Sequence, residues 1–315
     1  MKDPAQTLAA AAHRIDPLAP HPPGVYADHL VRVVRIAPPR DDAGDASAAA
    51  PAARTEHFLL RRRGRRIEID HWLPAERLDN DLAGLLADEL FAPGWLSGPD
   101  IFERVFTGIV RTCVDGPLTS WCAFYANTLA RIRTYWHSPD PSARSSIAEF
   151  APVYQRALDL VPPGAVLDVG SCFGFLPLLL AERATGPVIA SDLSGSTMRL
   201  LAAVADALGL RLDTLTCDAV RVPLPDGCVD TVTAVHVLEH MDEAQGEAVV
   251  REALRLARRR VVVAVPYEEE PTAAYGHVRV FDRAALTALG RAAADGGRRC
   301  GVDDHHGGWL VIDAG

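Results

Sequence analysis

Four short stretches in the second half of the chain carry residue types at a spacing suited to holding a nucleoside-like ligand. The first is Asp168-Val169-Gly170-Ser171-Cys172-Phe173-Gly174. Glycines in such a turn let a ligand approach the backbone where a side chain would block it. A dinucleotide site wants a small residue at the second glycine position, to seat pyrophosphate against the main chain. Here that position is Cys172, and the carboxylate of Asp168 just ahead suits an ammonium or hydroxyl group better than a phosphate. Asp192 follows 24 residues after Asp168, where an acidic side chain can accept both hydroxyls of a ribose. In Thr216-Cys217-Asp218-Ala219, Asp218 can accept from an adenine amine while a neighbouring backbone amide donates to the ring. Asp230 opens a further apolar run that ends in His236-Val237-Leu238-Glu239-His240.

These stretches need elements that bring them to one edge. Apolar runs predict strands at 165–169, 187–191, 212–216, 230–235 and 260–265, and helical spacing predicts helices over 147–160, 175–184, 195–208 and 243–258. Short apolar strands alternating with helices describe a parallel sheet covered on both faces. In such a sheet the ligand crevice lies beyond the carboxyl ends of the strands, where the four stretches fall. The first half reads differently. His29–Ile36 and His57–Trp72 predict strands, the latter a hairpin turning near Gly64, with RRRGRR at 61–66 as its solvated tip. Leu78, Leu82, Leu85, Leu86 and Leu90 recur at helical spacing within 75–90, a second helical region spans 99–136, and Ser138-Pro139-Asp140-Pro141 breaks the chain.

Composition narrows the class. A chain of 315 residues with 49% hydrophobic and 23% charged residues has room for two domains with full cores, and is not disordered, collagen-like or membrane-spanning. No apolar run reaches the ~18 residues of a spanning helix, and MKDPAQTLAA lacks a signal-peptide pattern. A cytoplasmic protein is therefore expected. Six cysteines without a CxxC pair read as reduced thiols. A net charge of −9 disfavours nucleic acid as a partner.

The glycine turn, Asp192 and Asp218, in register at three strand ends, resemble the class I S-adenosylmethionine-dependent methyltransferases. The resemblance covers about 158–315. It implies a doubly wound, seven-stranded Rossmann-like α/β sheet, with a smaller α+β domain in front of it. It also implies S-adenosyl-L-methionine as cofactor: Asp168, Gly170 and Gly174 at the methionine part, Asp192 at the ribose, Asp218 and Ala219 at the adenine. Cys172 departs from the family's usual glycine, which leaves the details of the turn open. On this reading 1–28 is a flexible start, 29–140 a lid or acceptor-recognition domain with a low-complexity loop at 37–56, and 141–315 the methyltransferase domain. Longer stretches, at 108–133, 142–164, 170–183, 271–281 and 304–310, resemble the mycofactocin oligosaccharide methyltransferases. That likeness implies a glucose hydroxyl of an oligosaccharide, the 2-hydroxyl, as acceptor. A natural-product O-methyltransferase acting on another small molecule, and a non-catalytic methyltransferase-like binding protein, remain alternatives.

Methyl transfer to a sugar hydroxyl needs alignment and a group to take the proton, and histidine is the usual residue for the second task. His236, just past the fourth strand, and His277, ahead of the last helix with Arg279, are the candidates; His240 reads as structural. Asp303-Asp304-His305-His306 invites a metal, but neighbours in an extended segment point to opposite faces, so no metal is assigned. Tyr154, Tyr267, Tyr275, Trp309 and Trp121 are candidate platforms for sugar rings, and Glu268, Glu269 and Glu270 candidate partners for sugar hydroxyls.

Overall fold

A computed structural model describes residues 15–39, 52–140, 142–272, 276–293 and 297–314. The chain forms two compact units, one of residues 1–131 and 143–147, the other of 132–142 and 148–315.

The first unit is built on a mixed five-stranded sheet in the order β1-β2-β5-β4-β3, with β1 Val25–Ala27, β2 Val31–Arg35, β3 Ala53–Arg54, β4 Phe58–Arg63 and β5 Arg66–His71. Alternation in β5 sends Ile67, Ile69 and His71 inward. The hairpin turns at Gly64, whose φ is +61°. Its arginines are engaged: Arg61 pairs with Asp70, Arg63 with Glu68, and Arg62 donates to the Trp95 carbonyl. The helical stretch expected over 75–90 is interrupted. A 3-10 turn at Ala75–Arg77 precedes α1 (Leu82–Leu86), which runs into a π-helical turn at Ala87–Phe91. Buried Asp79 causes the break, accepting from the Asp81 N–H and pairing with Arg131. The region 99–136 is likewise two helices, α2 (Pro99–Cys113) and α3 (Pro117–His137), parted where Val114 is extended and Gly116 takes φ +89°.

The expectation of a flexible start to residue 28 is corrected for residues 15–28. β1 pairs with β2, the Trp121 indole donates to the Pro17 carbonyl at 3.0 Å, and Arg111 donates to the Asp16 carbonyl at 3.2 Å. Main-chain carbonyls, which carry no sequence signature, are what tie this segment down. Residues 1–14, and 40–51 of the expected loop, lie outside the described residues.

The second unit holds α4 (Ser146–Leu160, continuing from the first unit), β6 Val166–Val169, α5 Phe175–Arg183, β7 Val188–Asp192, α6 Gly195–Ala207, β8 Asp213–Thr216, β9 Val229–Val235, α7 Glu243–Leu256, β10 Ala257–Val265, α8 Arg283–Ala293, β11 Cys300–Asp304 and β12 Gly308–Asp313. Its seven strands run in the order β11-β12-β10-β9-β6-β7-β8. The pairs β10–β9, β9–β6, β6–β7 and β7–β8 are parallel, and β12 is antiparallel to both its neighbours. All four residues of β6 are buried, as a central strand covered on both faces requires. The order reverses between β6 and β9, because the chain leaves β6 toward β7 and returns on its other side. That switch point opens a crevice at the carboxyl ends of the strands.

Candidate active site

At the end of β6 the carboxylate of Asp168 is 3% exposed and already has donors on both oxygens: Thr233 Oγ1 to Oδ1 at 2.5 Å and Ser171 Oγ to Oδ2 at 2.7 Å. Burial pushes its pKa up to about 6 against the pull of those two hydroxyls, and the nearby Asp192 charge adds to the rise. Ser171 and Ser191 lace the turn to β7 through Ser171 N–H to Ser191 O and Ser191 N–H to Ser171 Oγ.

The two glycines of the turn have a reason beyond ligand approach. Gly170 (φ +69°) and Gly174 (φ +80°) lie in the left-handed region that favours glycine. A Cβ on Gly170 would stand 2.6 Å from Val237 Cγ2, and one on Gly174 2.4 Å from Leu201 Cδ2. Left-handed backbone and close packing together thus favour glycine at both places. Cys172 keeps the left-handed backbone at φ +49° despite its side chain.

Asp192 closes β7. Its Oδ2 accepts from the Cys172 N–H at 3.0 Å and its Oδ1 from the Ser194 N–H at 2.8 Å. Each carboxylate oxygen has two lone pairs, so both can still accept from a pair of vicinal hydroxyls. Leu193, next in sequence, is 71% exposed. Beyond β8, Asp218 is exposed and its Oδ1 accepts from the Val220 N–H at 3.0 Å; Ala219 beside it is half-buried. The registers Val169↔Ser191 and Asp192↔Thr216 set the turn, Asp192 and Asp218 along one edge of the sheet.

On the other side of the switch point, His236 follows β9 with φ +54° while its N–H still donates to the Ala264 carbonyl. Backbone in sparsely populated regions clusters at functional sites. Phe150 of α4 packs on the His236 ring at 5.0 Å and Tyr154 at 5.8 Å from Phe150. His236 Nε2 has no hydrogen-bond partner, and its Nδ1 lies 3.5 Å from Glu239 Oε1. Burial, with the His277 and His240 rings close by, lowers the His236 pKa to about 4. Glu239 is 1% exposed, neither of its oxygens has a hydrogen-bond partner, and burial raises its pKa to about 8. His277 Nδ1 pairs with Glu268 Oε2 at 2.7 Å, Thr272 donates to Glu268 Oε1, and the His240 and His277 rings meet edge-on at 4.9 Å. Burial pushes the Glu268 carboxyl up, but the hydrogen bonds from His277 and Thr272 outweigh it and hold the group below the usual range.

The structure thus brings Asp168, Gly170, Gly174, Asp192, Asp218 and Ala219 to the β6–β7–β8 side, and His236 and His277 to the β9–β10 side. Leu193, Phe150, Thr233 and Glu239 were missed. Leu193 was detectable as an apolar residue between an acidic strand end and a helix cap, whereas the other three join the site only through tertiary contacts. The 303–306 stretch lies apart in the β11–β12 hairpin. Asp303 pairs with Arg156, and Asp304 with Arg283 and the Tyr267 hydroxyl. Trp121 and Trp309 are core residues, and Tyr275 lies outside the described residues.

A parallel sheet with this strand order, one antiparallel strand and a glycine turn at the switch point defines a Rossmann-like domain of the methyltransferase kind. Residues 166–260 match the family described as "Methyltransferase domain". The match makes this unit similar to S-adenosylmethionine-dependent methyltransferase domains, and S-adenosyl-L-methionine is the cofactor that it supports. The chain is 33% identical over 142 residues to the demethylmenaquinone methyltransferase of Thermus thermophilus, covering 43% of this chain and 64% of that one. It is 36% identical over 109 residues to a ubiquinone/menaquinone biosynthesis C-methyltransferase of Paraburkholderia phymatum, covering 33% and 44%. The chain therefore spans less than two thirds of either relative. A solved S-adenosylmethionine-dependent methyltransferase from Aquifex aeolicus overlays with TM-score 0.44 at 21% identity, covering 59% of this chain and 96% of that one.

Proposed function

We propose that the protein is an S-adenosylmethionine-dependent O-methyltransferase acting on a glucose hydroxyl, the 2-hydroxyl, of the mycofactocin oligosaccharide. Transfer of a methyl group to a small-molecule acceptor rests on one observation above all: a left-handed glycine turn, Asp192 and Asp218 stand in register at adjacent strand ends, with two histidines across the switch point. The saccharide rests on the resemblance of the longer sequence stretches.

The residues present fit the cofactor. Asp192, held by two backbone N–H groups, has lone pairs for the two ribose hydroxyls. Exposed Leu193 offers the adenine an apolar face, and Asp218, with the backbone at Ala219, its polar edge. The Gly170 and Gly174 turn lines the methionine part. Asp168 lies behind that turn and supplies negative charge toward the ammonium through Ser171 rather than an open carboxylate face. When bound, S-adenosyl-L-methionine supplies a methyl group on a sulfonium, open to in-line attack.

The chain's own work is to seat the acceptor, align its oxygen and shed water, which is where most of the acceleration in such displacements arises. His236 Nε2, without a partner, receives the hydrogen bond of the attacking hydroxyl. Phe150 packs against the His236 ring with the two planes tilted by 56°, which limits how the imidazole can turn. His277, oriented by Glu268, serves the acceptor side of the switch point. A second reading, transfer to a quinone ring carbon, is favoured by the two quinone-pathway relatives.

Isothermal titration with S-adenosylhomocysteine tests the cofactor half. Binding is expected, and Asp192→Ala should weaken it about 10–100-fold, since a hydrogen bond to a charged group contributes ~1.5–3 kcal/mol. Absence of binding to the intact chain would refute the reading.

A further inference from the structure

The groups beyond β9 and β10 include more than an acceptor contact requires. Glu239 is buried with both oxygens lacking hydrogen bonds, a state that buried carboxylates rarely hold without a positive partner. The charged and titratable groups set against it are imidazoles and a second carboxylate: His236, His240, His277 and Glu268. One ligand atom from each of Glu239, His240 and His277 lies within 4.8 Å of the other two. Behind His277, Glu268 takes the Nδ1 side of the ring at 2.7 Å and is itself held by Thr272. A carboxylate behind an imidazole in this way fixes the tautomer and raises the basicity of metal-binding histidines.

We infer that Glu239, His240 and His277 bind one divalent transition-metal cation, of the Zn2+ or Co2+ kind, in a three-ligand site with open positions. Two imidazoles and one carboxylate suit these borderline ions, whereas Mg2+ and Ca2+ prefer all-oxygen cages. The cation is the positive partner that Glu239 lacks. A second acid–histidine cluster, Glu56, His57 and Glu89, shows the contrast. There Glu89 accepts from both the His57 ring and the His57 N–H, and Arg77 already stands at the other ring nitrogen at 2.8 Å. A fixed cation serves that cluster; among the described residues, no arginine or lysine is paired with Glu239. For what the metal does, the inference rests on the proposed methyltransferase reading: an open position takes the acceptor hydroxyl and lowers its pKa, acting as a Lewis acid.

Cobalt titration of chelator-treated full-length protein reads the site directly. One equivalent of Co2+ should bind, with visible d–d absorption, and Zn2+ should abolish the bands by displacement. Glu239→Gln, His240→Ala and His277→Ala should lose them, while His305→Ala, in the β11–β12 hairpin, should keep them. Glu268→Gln, a gentler change at a positioning residue, should weaken cobalt affinity about 10–100-fold. Circular dichroism and S-adenosylhomocysteine titration on the same samples separate the possible failures. A folded wild-type chain that binds S-adenosylhomocysteine but no cobalt overturns the cation site alone, as do bands that survive in the three ligand variants. Loss of S-adenosylhomocysteine binding by the wild type overturns the methyltransferase reading instead.

Discussion

Asp168 sets two demands against each other at a single side chain. Its carboxyl is buried and its pKa stands near 6, against 3.8 for the free group. Because the folded-state value is raised, its contribution to stability is fullest below pH 3.8 and is lost as pH rises through 6, where the buried charge must form. On the proposed reading, the cofactor's ammonium wants that same charge. Asp168→Asn should therefore leave the fold as stable or more stable above pH 6, by ~1–3 kcal/mol, while weakening S-adenosylhomocysteine binding. In the unaltered chain, affinity should fall as pH drops below 6, and in the variant that step should be missing. Thermal unfolding and calorimetric titration from pH 5 to 8 measure both; a variant that loses stability and affinity together would mean that Asp168 only holds the turn.

The element that carries the proposed methionine-side residues is the β6–α5 turn, and its glycines answer to backbone conformation and packing together. Gly170 carries φ +69° and has Val237 where a Cβ would sit. Gly170→Ala meets both a backbone penalty and an overlap, with an expected loss of ~2–4 kcal/mol. Adding Val237→Ala removes the overlap but not the backbone penalty, so the double variant should recover part of the lost stability in denaturant unfolding. Additive losses would show that the contact with Val237 is not what excludes a side chain. The sequence pointed to glycine here for a ligand's sake, because a turn of this spacing says nothing about which distant side chain will fill the space. It did disclose the five parallel strands from β6 to β10 to within a few residues, since such strands are apolar and bounded by helices of clear period, but not the β11–β12 hairpin, where charged and glycine residues interrupt the apolar pattern. The helix expected over 75–90 failed for a related reason: leucine spacing is local, whereas the break comes from Asp79 pairing with Arg131, 52 residues on.

At the scale of the molecule, the cofactor side and the acceptor side differed in how much the sequence disclosed. Asp192 and Asp218, the proposed ribose and adenine partners, stand at consecutive strand ends, so their order along the chain mirrors their order along the sheet edge. The proposed acceptor side is assembled from segments 28 to 38 residues apart, Glu239 and His240 against Glu268 and His277, and only the fold brings them together. His236 was visible as a histidine just past a strand and His277 as one ahead of the last helix; the buried Glu239, without a hydrogen-bond partner, was not. Among the described residues no helix is long and apolar enough to cross a membrane. The two curated relatives carry names from quinone methylation, so the acceptor is the point on which the account is most exposed.

Mass spectrometry of a mycofactocin-type oligoglucoside incubated with the protein and methyl-labelled S-adenosyl-L-methionine, beside a demethylmenaquinone analogue, tests that point directly. The account predicts one labelled methyl on a glucose hydroxyl, absent with Asp192→Ala. Label on the quinone ring alone, or on neither acceptor although S-adenosylhomocysteine binds, would contradict the saccharide assignment.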